Sequence, residues 1–128
     1  MRGFICGAFD LLHAGHILAF KEAKKHCDFL LVGLHVDPSI ERKGKKKPVQ
    51  GILERAIQLT GCEDVDQIVV YETEEDISII LRNFDIDVRF LDEEYELNLE
   101  QISDIEAVDI EFIPREHPYS TTRLRKKK

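Results

Sequence analysis

Long apolar stretches are missing from this chain: no run approaches the roughly 18 residues that a membrane-spanning helix needs. The first ten residues lead straight into a motif, without the basic, apolar and small-residue layout of a secretion signal. These absences predict a soluble, cytoplasmic protein with no membrane insertion. Cysteine is scarce too. Cys6, Cys27 and Cys62 are odd in number, far apart and without a CxxC pair, which argues against both a disulfide framework and a zinc site. They read as small buried hydrophobes. Internal repeats and low-complexity linkers are also lacking. At 128 residues the chain can bury one core but not two, so a single domain over 1–128 is expected, with residues 125–128 as a disordered tail.

Positive charge is in deficit. The net charge of −7 is a poor field for nucleic acid, and no nucleic-acid partner is expected. What positive charge there is comes bunched: Arg42, Lys43, Lys45, Lys46 and Lys47 in one cluster, Arg123 and Arg125 to Lys128 in another. A local basic patch on an acidic protein suits a small anionic ligand better than a long polyanion.

Strand and helix patterns alternate along the chain. Phe4-Ile5-Cys6, ended by Gly7, reads as a buried strand. From Gly15 to His26, Ile17, Phe20, Ala23 and Cys27 recur every three or four residues, as on one face of an amphipathic helix. Asp28 to His35 is apolar on both faces, like a central parallel strand. A basic loop from Asp37 to Pro48 follows. A second helix is expected over Gly51–Thr60 with Ile52, Leu53, Ala56 and Ile57 inward, stopped by Gly61. Gln67–Tyr71 is a third strand. Thr73 and Asp76 offer a capping pair for a helix with Ile77, Ile80, Leu81 and Phe84 inside. Asp87–Leu91 and Ile110–Ile113 complete five strands, with a short helix expected around Leu99–Ile105 and another from Ser120. Strands separated by helices at this spacing predict right-handed βαβ units. The expected architecture is α/β: three layers, an open parallel sheet of about five strands with helices on both faces, Rossmann-like. Ligands of such sheets bind at the carboxyl ends of the strands.

One segment lies at that edge and carries chemistry: Gly7-Ala8-Phe9-Asp10-Leu11-Leu12-His13-Ala14-Gly15-His16. Gly7 lets a ligand approach the backbone without meeting a Cβ. The helix opening near Gly15 aims unpaired N–H groups and its positive dipole end above the sheet, an arrangement that binds phosphate. His13 and His16, three residues apart in a first helical turn, face the same way and can donate to phosphate oxygens.

This segment resembles the GxFDxxHxGH signature of the cytidylyltransferase superfamily of nucleotidyltransferases, and Ser120-Thr121-Thr122 resembles its second signature, ISTT. The likeness spans nearly the whole chain and is closest to the glycerol-3-phosphate cytidylyltransferase group. It implies transfer of CMP from CTP to a phosphorylated small alcohol, with release of pyrophosphate. Adenylyl transfer from ATP, as in the related heptose-phosphate or flavin-nucleotide synthases that share HxGH, is the alternative, and a non-catalytic nucleotide-binding module is a second. The resemblance assigns His13 and His16, with Lys45 or Lys46, to charge developing on the α-phosphate. It places Gly7, Ala8, Phe9, Asp10, Gly15, Arg115, Ser120, Thr121 and Thr122 on the nucleotide, and Arg55, Asp37 and Asp66 near the acceptor. It also implies Mg²⁺ carried by the triphosphate, no protein-held metal, and a homodimer.

The chain departs from the pattern in places. Val65-Asp66 survive from an Arg-x-Val-Asp element in which Glu63 takes the arginine's place, and Leu91-Asp92-Glu93-Glu94-Tyr95 replaces a glycine-aspartate pair. Pro118 and Tyr119 stand before Ser120 in place of glycine and isoleucine. These changes fall where acceptor and base are recognised rather than where phosphates are held. Glu93 and Glu94 would repel an anionic acceptor, so one rich in hydroxyls or bearing an amine is the easier fit.

Overall fold

The computed structural model describes residues 1–93, 96 and 108–114. The elements run β1 (Arg2–Gly7), α1 (Ala14–Lys24), β2 (Phe29–His35), α2 (Ile52–Thr60), β3 (Gln67–Tyr71), α3 (Glu75–Asn83), β4 (Val88–Asp92) and β5 (Asp109–Ile113). The strands form one all-parallel sheet in the order β3-β2-β1-β4-β5. The expected open α/β sheet of five strands is therefore present. The helix expected around Leu99–Ile105, the one from Ser120 and the tail at 125–128 lie outside the described residues.

Strand order explains why helices cover both faces. From β1 the chain steps outward through β2 to β3, and right-handed crossovers put α1 and α2 on one face. The next connection reverses direction across the sheet, and the same handedness sends α3 to the other face. The side chains divide accordingly. Ile5, Leu30, Val32, Leu34, Val88 and Phe90 pack with Phe20, Ala23 and Leu59 of α1 and α2. Phe4, Leu31 and Tyr71 pack with Ile77, Ile80 and Leu81 of α3. The centre of the sheet is tight enough to dictate a glycine: a Cβ on Gly33 would sit 2.7 Å from the Phe4 ring.

The interior of α2 departs from expectation. Leu53 and Ile57 are 72% and 61% exposed, while Arg55 and Leu59 hold the inward positions, flanked by Ile52 and Ala56. A polar residue displaced the apolar pair because its guanidinium finds backbone carbonyls at the sheet's carboxyl edge. At α3 the Asp76 carboxylate accepts from the Glu72 and Thr73 N–H groups, so the capping interaction is made by Asp76. No described helix is long and apolar enough to cross a membrane. The three cysteines are free and half-buried, and burial pushes the Cys27 and Cys62 thiols up from their ordinary value.

Candidate active site

The sheet reverses its order between β1 and β4, and the loop leaving β1 at that crevice carries the histidines. The loop is held in an unusual shape. Phe9 and Leu11, neither of them glycine, have φ of 48° and 50°, a conformation costing about 1–2 kcal/mol per residue. Several contacts offset that cost. Phe9 is buried, with its ring edge-on to His16 at 5.4 Å and against Phe20 at 5.3 Å. Asp10, only 4% exposed, accepts from Val49 N at 2.8 Å and Gln50 N at 2.9 Å. The Leu11 N–H donates to Gln50 Oε1 at 2.8 Å. The strained turn is thus clamped against the end of the β2–α2 connection. A Cβ on Gly7 would meet only the Phe9 ring, at 3.5 Å, an ordinary contact. Internal packing therefore does not demand this glycine, and close approach of a ligand remains a reason for it.

His13 and His16 start α1 as a reciprocal cap. His13 is the N-cap, in extended conformation, and its Nδ1 accepts from Gly15 N at 2.9 Å. His16 Nδ1 accepts from His13 N at 3.2 Å. A backbone N–H only donates, so both Nδ1 atoms present lone pairs and each neutral ring carries its proton on Nε2. The rings stack with centroids 3.8 Å apart and planes 27° from parallel. Two full positive charges at that separation would repel by about 4 kcal/mol at an effective dielectric near 20. The pair therefore suits an anion that supplies the opposing charge, beside a helix N-terminus that favours the same sign.

Beneath the loop lies Arg55, expected near an acceptor. It is 2% exposed, and its guanidinium donates to the carbonyls of Gln50 (3.0 Å), Ala8 (3.0 Å), His35 (2.6 Å) and Val36 (2.7 Å). Burial lowers its pKa from the ordinary value, opposed by the Asp10 and Asp37 carboxylates. It joins the ends of β1 and β2 to α2 from below. Asp66, also expected near the acceptor, lies at the sheet's other edge. It precedes β3 at the amino edge, accepting from Leu30 N at 2.7 Å and pairing with Lys24. The five steps along the strand from Leu30 to His35 separate it from the carboxyl edge by roughly 16 Å. Asp37 follows β2 at the carboxyl edge, where it accepts from Ser39 Oγ at 2.5 Å and Ser39 N at 3.0 Å. The Ser39 hydroxyl holds its carboxyl below the usual range, despite partial desolvation, with Lys47 nearby.

The connection from β2 to α2 is fixed at both roots. At one, Arg42 Nε pairs with Glu74 Oε1 at 3.2 Å and Glu74 N donates to Glu41 Oε1 at 2.9 Å. At the other, Val49 and Gln50 are bound to Asp10. Lys43, Lys45, Lys46 and Lys47 are exposed between these roots, with Gly44 at φ 89° making the bend. Arg115, Ser120, Thr121 and Thr122 lie outside the described residues. Among the described residues no group of three or more His, Cys, Asp or Glu side chains could hold a metal ion.

Sequence patterns missed Gln50 and His35. Gln50 sits ahead of α2 in no recognisable motif. His35 ends an apolar strand, and a polar residue there was its one signal; it is buried, within 3.0 Å of Glu72 O through Nε2 and stacked on Tyr71.

The family model for cytidylyltransferase-like proteins matches residues 4–127. Two proteins called bifunctional protein HldE, from Granulibacter bethesdensis and Rhodospirillum rubrum, are 39% and 43% identical over 79 residues. Those stretches cover 61% of this chain but only 16% of either relative's length. The structure resembles a lipopolysaccharide core biosynthesis protein from Thermoplasma volcanium, with a TM-score of 0.66, 26% identity, and coverage of 94% of this chain and 98% of that one. Likeness to a pantothenate synthetase from Thermus thermophilus, TM-score 0.59 at 18% identity over 98% of this chain and 64% of the other, shows the fold alone. With a model match over almost its whole length and the histidine pair at the sheet's switch point, this chain belongs to the cytidylyltransferase-like family of nucleotidyltransferases.

Proposed function

We propose that the chain transfers an adenylyl group from ATP, carried as its magnesium complex, to the phosphate of a sugar phosphate and releases pyrophosphate. The observation that carries the transfer step is the stacked pair His13 and His16, whose Nδ1 atoms are both committed to backbone N–H groups. Their Nε2–H groups are then donors before any ligand arrives, so little reorganisation is needed when charge builds on the α-phosphate. An oxygen of the acceptor phosphate, already nucleophilic at neutral pH, forms the new bond to the α-phosphorus. The bond from that phosphorus to the bridging oxygen breaks, and pyrophosphate leaves with the electron pair. No general base is required. The remaining work is in-line placement and offsetting of charge. Lys45 or Lys46 supplies further positive charge from the exposed loop. Ser120, Thr121 and Thr122 are assigned to the β- and γ-phosphates through the sequence signature, and Arg115 to the departing pyrophosphate.

The choice of sugar phosphate over glycerol 3-phosphate, and of ATP over CTP, rests on similarity to the HldE proteins and to the lipopolysaccharide core protein. It agrees with the sequence expectation of an acceptor rich in hydroxyls, which a sugar phosphate meets better than glycerol 3-phosphate. The test is pyrophosphate release with Mg²⁺ and either ATP or CTP, against heptose and hexose phosphates and glycerol 3-phosphate. Turnover with ATP and a sugar phosphate is expected. Turnover confined to CTP and glycerol 3-phosphate would replace this acceptor, and triphosphate binding without pyrophosphate would make the chain a binding module.

A further inference from the structure

Gln50 joins three structural segments and belongs to no recognised signature. Its Oε1 accepts from Leu11 N at 2.8 Å, its own N–H donates to Asp10 Oδ1 at 2.9 Å, and its carbonyl accepts from Arg55 Nε at 3.0 Å. Its Nε2 reaches Glu54 Oε2 on the first turn of α2 at 3.4 Å. Two of these contacts use the backbone of residue 50, which any residue there would supply. The glutamine side chain makes the other two, to Glu54 and to Leu11, and of these the one to Leu11 reaches the histidine loop. It falls on a residue with φ of 50°, two positions before the N-cap His13.

We propose that Gln50 is a positioning residue: its amide oxygen holds the Leu11 turn so that the His13–His16 pair stays in its Nε2–H form and aligned with the root of the lysine loop. This deepens, and for its kinetic consequence rests on, the nucleotidyl-transfer reading. Asp10 and Gln50 act from opposite sides, one carboxylate binding two N–H groups of the connection and one amide binding an N–H of the histidine loop. The lysine loop and the histidine loop are thereby fixed relative to one another. Gln50 is not a catalytic residue, since no part of this role requires contact with substrate.

The test uses the full chain with Gln50→Leu, which keeps the size and removes the acceptor. The exchange Q50E/E54Q restores an oxygen toward Leu11, with the amide now on residue 54 donating back to the carboxylate at 50. Imidazole ¹⁵N shifts of His13 and His16 in the free protein read the tautomer directly. In the wild type both rings are expected in the Nε2–H pattern; in Q50L the pattern averages toward mixed tautomers while the circular dichroism stays native. In turnover, Q50L is expected to lose about tenfold to a hundredfold in kcat, as misplacement of catalytic groups does. KM for the triphosphate is expected to change less than about threefold. The exchange variant recovers most of both losses. A Q50L protein with the wild-type tautomer pattern overturns the proposal, as does a folded exchange variant that recovers neither. Should Q50L fail to fold, the exchange variant's ¹⁵N pattern decides. Should the wild type turn over no substrate pair, the transfer reading fails while the ¹⁵N result still judges Gln50.

Discussion

At the scale of single residues, the two histidines do two jobs, and the jobs can be separated. Nδ1 of each caps the helix start, and in the proposed transfer Nε2–H is the donor offered to phosphate. Asparagine places an oxygen near the position of Nδ1 and nothing near Nε2. His13→Asn is therefore expected to keep its thermal midpoint within a few degrees while losing about 10²–10³ in kcat, the cost of one preorganised donor. His13→Ala loses the cap as well, about 1 kcal/mol of stability, which denaturant titration would detect. Equal midpoints for the two variants would refute the capping role. The pairing of His13 with His16 was legible in the sequence because a three-residue spacing in a helical turn brings side chains together whatever surrounds them. Gln50 was not legible, because its importance arises from Leu11, 39 residues away, and no local pattern encodes that contact.

At the scale of elements, the sheet's two edges perform different work. The carboxyl edge holds the histidine loop, Arg55 and Asp37. The amino edge is closed by Asp66, which ties β2's first residues to Lys24 at the end of α1. Burial alone would raise the Asp66 carboxyl, but hydrogen bonds from Lys24 and Leu30 outweigh it and hold the group below the usual range. The sign of the linkage follows. A carboxyl with a depressed folded pKa contributes stability above its unfolded value, near 3.9, and that contribution disappears as pH falls through the folded pKa. Asp66→Asn should therefore be less stable than the wild type at pH 7, by on the order of 1 kcal/mol, with the difference shrinking below about pH 4. Urea midpoints at several pH values check this; a gap independent of pH would exclude the charged contact as its source. Asp66 was expected near the acceptor from its place in a sequence element. Only the register of β3 against β2, Gln67 beside Leu31, puts it at the opposite edge.

At the scale of the whole molecule, Arg55 links the two halves of the design. It lies on a helix of one layer and binds carbonyls at the ends of two strands and in the connecting loop. Arg55→Leu strands those carbonyls and removes the cation that opposes Asp10 and Asp37. A loss of about 3 kcal/mol or more is expected, seen as a lower denaturant midpoint with the transition still cooperative. A loss below about 1 kcal/mol would mean that water replaces the guanidinium without penalty. Local pattern alone determined the alternation of strands and helices, the parallel sheet and the histidine-bearing segment after β1, because hydrophobic period, glycine placement and histidine spacing are local properties of the chain. Tertiary structure alone decided which face of α2 is inside, which edge holds Asp66, and which side chains clamp the histidine loop. Those outcomes depend on pairing between residues distant in sequence, where a buried guanidinium among carbonyls can outweigh two exposed leucine-sized side chains.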